Sequence, residues 1–143
     1  MKIEVKNLKE LGELAVDIGQ RMKPGDVFLL RGDLGAGKTS LVSKIASYLG
    51  EPEAASSPSF SIVNIYDTDP RINHLDLYRL ESEDEVLSFE YELYFFPEDS
   101  ISFIEWPDRA RSFLPRRPIN IDIEVDDGKR IITIDDKFFE RND

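Results

Sequence analysis

The eight residues Gly32-Asp33-Leu34-Gly35-Ala36-Gly37-Lys38-Thr39 constrain this chain more than any other stretch of it. They fit G-x-x-x-x-G-K-[ST], the glycine-rich turn that cradles phosphates. The setting raises the pattern above coincidence. Asp26-Val27-Phe28-Leu29-Leu30-Arg31 before it is a short apolar run of the kind that forms a buried strand. Ser40-Leu41-Val42-Ser43-Lys44-Ile45-Ala46 after it reads as a helix. In a strand-loop-helix unit the backbone N–H groups turn inward on phosphate oxygens, and the helix N-terminus adds partial positive charge. Lys38 then reaches the β- and γ-phosphates, and the Thr39 hydroxyl binds Mg²⁺.

The remaining pattern predicts one α/β domain over residues 1–143, with a P-loop NTPase-like, mixed but mainly parallel sheet flanked by helices. Asn7 with Glu10 forms a capping pair, after which Leu11, Leu14, Ala15, Ile18 and Met22 recur at helical spacing. Lys23-Pro24-Gly25-Asp26 ends that helix, and Gly50 with Pro52 ends the one after the P-loop. Residues 51–58 are a polar loop. Residues 60–66 and 71–78 form a hairpin around Asp67-Thr68-Asp69-Pro70, and residues 119–125 and 130–134 form a second around Asp126-Asp127-Gly128-Lys129. Between them lie an acidic helix start at 81–85, an aromatic-rich segment at 89–96, a strong strand at 100–105 and one or two helical turns at 108–113.

Composition narrows the function classes. The formal net charge is −11, so phosphates of nucleic acid are repelled at long range, and a basic or mixed-charge protein is the easier partner. There is no cysteine, which removes disulfides and thiolate metal sites. No apolar run approaches the ~20 residues of a membrane span. Met1-Lys2-Ile3-Glu4-Val5-Lys6 lacks the apolar centre of a signal peptide, so a cytoplasmic location is the default expectation.

A P-loop enzyme needs an acidic group at the end of a second buried strand, to orient the Mg²⁺ shell or the attacking water. Glu105, closing the run Ile101-Ser102-Phe103-Ile104, is the natural candidate; the bland alternative is a carboxylate facing solvent. In His74-Leu75-Asp76-Leu77-Tyr78-Arg79, a strand places His74, Asp76 and Tyr78 on one face, which directs Asp76 toward the metal or the water. A lone His74 is more often a hydrogen-bonded structural group, Arg79 more often a salt-bridge partner, and Trp106 more often core. The hydroxyls of Ser57-Pro58-Ser59-Phe60 suit a γ-phosphate sensor, although a proline-stiffened turn accounts for them as well.

Taken together and in order, GDLGAGKT, SPSF, HLDLYRL and IEWPDR resemble the bacterial TsaE (YjeE) family, over about residues 11–113. The resemblance implies a small Mg²⁺-dependent P-loop ATPase that acts with TsaB and TsaD. Together these form N6-threonylcarbamoyladenosine at position 37 of tRNAs that read codons beginning with A. TsaD transfers the group, and the ATP cycle resets the complex. It implies phosphate contacts from Asp33, Leu34, Gly35, Ala36, Gly37, Lys38, Thr39 and Ser40, Mg²⁺ near Thr39 and Glu105, a part in hydrolysis for Asp76, and Trp106 beside the nucleotide. The chain departs from the family in having Ser59 where threonine is usual. Transfer of RNA contact to the complex, and a monomer when free, complete the expectation.

Two other readings stay open. A small-molecule kinase shares the P-loop but needs an arginine-bearing lid; loop 51–58 has no arginine, and Arg109, Arg111, Arg116 and Arg117 are the cluster that remains. A nucleotide-sensing adaptor binds ATP without cleaving it. No N-K-x-D motif supports a GTPase. No arginine finger is evident over the site, so hydrolysis by the isolated chain is expected to be weak. The segment 6–9 is the candidate for adenine contact, and the 81–85 face and the 89–96 segment are the candidates for partner contact.

Overall fold

Seven strands make one sheet in this computed structural model, which describes residues 1–51 and 62–141. They are β1 (Lys2–Val5), β2 (Val27–Arg31), β3 (Val63–Tyr66), β4 (Ile72–Asp76), β5 (Ile101–Glu105), β6 (Ile119–Asp126) and β7 (Lys129–Ile134), in the spatial order β1-β7-β6-β2-β5-β4-β3. The helices are α1 (Leu8–Arg21), α2 (Lys38–Tyr48), α3 (Tyr91–Phe95) and α4 (Asp136–Phe139), with 3₁₀ segments at Glu83–Ser88 and Pro107–Phe113. Parallel pairings of β2 with β5 and β6, and of β4 with β5, form the centre. Antiparallel pairings form both margins, where the two hairpins and β1 are added. The Ser57-Pro58-Ser59-Phe60 motif and the first residues of the 60–66 strand lie outside the described residues.

β2 explains why its sequence is apolar throughout. Phe28 and Leu30 enter one core with Leu11, Ile18, Leu41 and Ile45 of α1 and α2. Val27 and Leu29 face the other way, into a second core with Leu75, Ile104, Phe95 and Val86. A strand covered on both faces loses the polar alternation of a half-exposed one. Phe28 stacks on Phe103 of β5 with ring centroids 4.6 Å apart.

Local chemistry accounts for the ends of the elements. The Asn7 side chain accepts the Glu10 N–H at 2.9 Å, while Glu10 Oε1 accepts the Lys6 N–H at 2.8 Å, one residue earlier than a standard capping box. Asp127 and Gly128 join β6 to β7 with φ of 51° and 82°, both left-handed, the geometry of a two-residue hairpin turn. Two expectations need correction, and one strand lies outside them. The strand predicted over 71–78 stops at Asp76. The helix anticipated at 81–85 begins at Glu83 and is a 3₁₀ segment. Strand β1 was not anticipated, because only Val5 of its four side chains is buried and its partner β7 is distant in sequence. Among the described residues no helix is long and apolar enough to cross a membrane.

Candidate active site

The parallel centre brings three strand ends to one edge of the sheet. Leu30 of β2 and Asp76 of β4 both stand opposite Glu105 of β5 in register. The P-loop leaves β2 at this edge and enters α2 through Gly37, whose φ of 104° is a conformation that side chains rarely adopt. The start of α2 has neither a side-chain cap nor an acidic residue in its first turn. α1, by contrast, has both, through Asn7 and Glu10. The first N–H groups of α2 are therefore left for an external acceptor.

They border a cavity of about 270 Å³ lined by Leu34, Gly35, Gly37, Lys38, Thr39, Ser40, Asp76, Glu105 and Trp106, with Arg130 added from β7. Asp33 lines an adjoining cavity of about 440 Å³ on the other side of Lys38 and Trp106. Ala36 is buried. The residues singled out in the sequence thus converge on these two cavities, except Ala36, which lines neither.

Glu105 faces inward. It is 3% exposed, and its Oε2 accepts the Thr39 hydroxyl at 2.8 Å. The same oxygen lies 2.5 Å from His74 Nε2, and His74 Nδ1 lies 3.2 Å from the Tyr66 hydroxyl. A carboxylate only accepts, so Nε2 carries the proton; in the neutral imidazole Nδ1 then accepts from Tyr66. His74 is fully buried, and this chain of partners satisfies it. Burial pushes the Tyr66 phenol up to about 12.

Asp76 and Tyr78 do not share a strand face, because the strand ends between them. Instead the Tyr78 N–H donates to Asp76 Oδ1 at 3.0 Å, and the Tyr78 ring lies against Trp106 with centroids 4.9 Å apart. Burial raises the Asp76 carboxyl above its ordinary range, and Glu105 adds to the effect; the Tyr78 N–H, His74 and Lys38 oppose it. Lys38 is 4% exposed. Its ammonium donates to the Gly32 carbonyl at 2.6 Å and sits 3.8 Å from the centre of the Trp106 ring. Burial lowers its pKa, against the attraction of Glu105, Asp76 and Asp33. Trp106 has φ of 57°, a genuine outlier for a bulky residue, located at the site.

The arginines fall differently from the sequence reading. Arg109 donates to the Leu80 carbonyl at 3.3 Å, and Arg111 pairs with Asp108 at 3.4 Å, a carboxylate that also holds Arg31 at 3.2 Å. Arg116, Arg117 and Arg79 are exposed, and Arg79 has no ion-pair partner among the described residues. Arg130 was missed. It reaches the P-loop through strand pairing, and no local motif marks it.

A family model described as "Threonylcarbamoyl adenosine biosynthesis protein TsaE" matches residues 5–132. Curated relatives carry the name tRNA threonylcarbamoyladenosine biosynthesis protein TsaE. One from Nostoc sp. is 42% identical over 82% of this chain and 74% of its own length. One from Rickettsia felis is 38% identical over 90% and 75%. One from Bacillus subtilis is 37% identical over 78% and 70%. The crystal structure of Bacillus subtilis YdiB superposes with a TM-score of 0.78 at 28% identity, covering 98% of this chain and 89% of that one.

Proposed function

Because the chain belongs to the TsaE family of threonylcarbamoyl adenosine biosynthesis proteins, we propose that it hydrolyses Mg²⁺-bound ATP at the P-loop cavity to drive a TsaB–TsaD complex through repeated rounds of tRNA modification. The observation that carries this reading is the uncapped start of α2 beside a buried lysine and a buried hydroxyl–carboxylate pair.

The donor set fits its ligands. Open backbone N–H groups and Lys38 complement the charge on phosphate oxygens. Thr39 Oγ1 and Glu105 Oε2 are hard oxygen donors suited to Mg²⁺. Among the described residues no cluster of three His, Asp or Glu side chains makes a closed metal cage. Thr39 and Glu105 would therefore hold such an ion together with phosphate and water oxygens, the usual donors for Mg²⁺ in nucleotide sites. When bound, that ion supplies charge neutralisation at the β- and γ-oxygens.

The side chains then take the following roles. Lys38 exchanges the Gly32 carbonyl for phosphate oxygens. His74 holds the Glu105 carboxylate in its rotamer, so that it meets Thr39. Asp76, whose proton affinity is raised by burial, orients the attacking water and accepts its proton. Arg109 and Arg111 are committed to Leu80 and Asp108, which disfavours the kinase lid.

The test is phosphate release from Mg²⁺-ATP by the purified chain, alone and with TsaB and TsaD, with Lys38→Ala as the blank. Stimulation by the partners that disappears in the blank is the expected result. Equal rates with and without partners would count against coupling, and phosphate transfer to a metabolite would establish the kinase.

A further inference from the structure

Arg130 is the one charged side chain in the wall of the P-loop cavity that neither the motif nor the family resemblance assigns. It projects from β7, which the sheet order places beyond β6, on the opposite side of β2 from β5 and β4. The cavity thus has two carboxylates, Asp76 and Glu105, on one flank and a guanidinium on the other.

The contact with the P-loop is close. Arg130 Nε donates to the Ala36 carbonyl at 2.7 Å. A Cβ added to Gly37 would lie 2.6 Å from that Nε and 3.2 Å from Cζ, so the guanidinium packs directly on the backbone at the start of α2. Only Nε is used. The two terminal nitrogens have no hydrogen-bond or ion-pair partner among the described residues.

That is unusual for this molecule. The other half-buried arginines, Arg21, Arg31 and Arg141, each pair with a carboxylate. The arginines without such a pair among the described residues are exposed, apart from Arg130. In a chain with 29 acidic residues against 18 basic ones, a half-buried guanidinium facing the cavity without a carboxylate is matched to an anionic ligand.

We propose that Arg130 is a nucleotide-binding residue whose terminal nitrogens hold the phosphates that ADP retains. The flank decides which phosphates. Thr39 and Glu105 mark the side that would hold a Mg²⁺ ion against the terminal phosphates, and Arg130 stands across the helix start from them. It therefore meets the end of the phosphate chain nearer the nucleoside. This rests on the proposal that the P-loop binds ATP.

Arg130→Gln separates a phosphate contact from a mere staple. The glutamine Nε2 occupies the same position along the side chain as arginine Nε, so the donor to the Ala36 carbonyl is kept and only the charged fork is lost. Arg130→Lys restores the positive charge as a point charge. ADP binding is measured by titration calorimetry on the full chain for wild type and both variants, with thermal unfolding as the check of folding. Saturating-ATP hydrolysis in the presence of TsaB and TsaD is measured in parallel. The expected result is about ten-fold weaker ADP binding in Arg130→Gln, with substantial recovery in Arg130→Lys. Wild-type ADP affinity in Arg130→Gln would reduce Arg130 to a staple. A fall in kcat with ADP affinity unchanged would place it on the γ-phosphate instead and overturn the assignment. Failure of wild type to bind ADP would overturn the nucleotide reading and this inference with it.

Discussion

Asp76 sits at a strand end where burial and the neighbouring Glu105 both oppose its charge. A carboxyl whose folded pKa is raised favours folding while it is protonated, and that contribution is lost as pH rises through the folded pKa. Above that range the ionised group is therefore a net cost to stability. Asp76→Asn keeps the acceptor for the Tyr78 N–H and removes the charge. It is expected to raise the unfolding midpoint at pH 7, with the gap closing as the pH is lowered. The same change should lower partner-stimulated hydrolysis by about 10²-fold or more. Calorimetric scans across pH, beside the hydrolysis assay, check both; a variant less stable than wild type at pH 7 would contradict the assignment of burial as the dominant influence. At this scale Glu105, Lys38 and Thr39 were legible, because a P-loop and a strand-terminal acid are local patterns. The hydrogen-bonded character of His74 was legible too, but not its partners, Tyr66 and Glu105, which only strand register brings together.

Strands and helices were legible where their burial is periodic or complete. β2 and β5 are apolar because both faces are covered, and α1 shows its buried stripe at Leu11, Leu14, Ala15 and Ile18. β1 was not legible, since one buried residue in four leaves no pattern. The β6–β7 hairpin was visible from Asp127-Gly128, but its consequence was not: this turn sets the register that delivers Arg130 to the P-loop. Gly128 has φ of 82° and nothing within 4 Å of an added Cβ, so a substitution there meets backbone strain and no clash. Gly128→Ala is expected to cost about 1–2 kcal/mol, read by denaturant unfolding with an unchanged m-value. If the register is kept, ADP affinity is unaltered; a combined loss of stability and of ADP affinity would show the hairpin slipping and carrying Arg130 with it. A neutral effect on stability would contradict the left-handed turn.

On the scale of the whole molecule, the mixed sheet follows from the sequence in outline but not in order. Nothing local fixes that the C-terminal hairpin lies on the opposite side of β2 from Asp76 and Glu105, because pairings between distant strands carry no short-range signal. Charge is the property read most directly. At −11 the molecule repels a polyanion, and the half-buried Arg130 is a single cation recessed against the P-loop rather than part of a basic surface. On the proposed function, RNA contact is expected to fall to the partner proteins. The expected outcome is no measurable tRNA binding by the isolated chain at physiological salt, by fluorescence anisotropy with labelled tRNA. Association with TsaB–TsaD should instead slow as salt rises, the mark of an acidic surface steered toward a basic or mixed one. A salt-independent association rate, or direct retention of tRNA, would mean that local patches outweigh the net charge. The acidic composition would then act only on solubility.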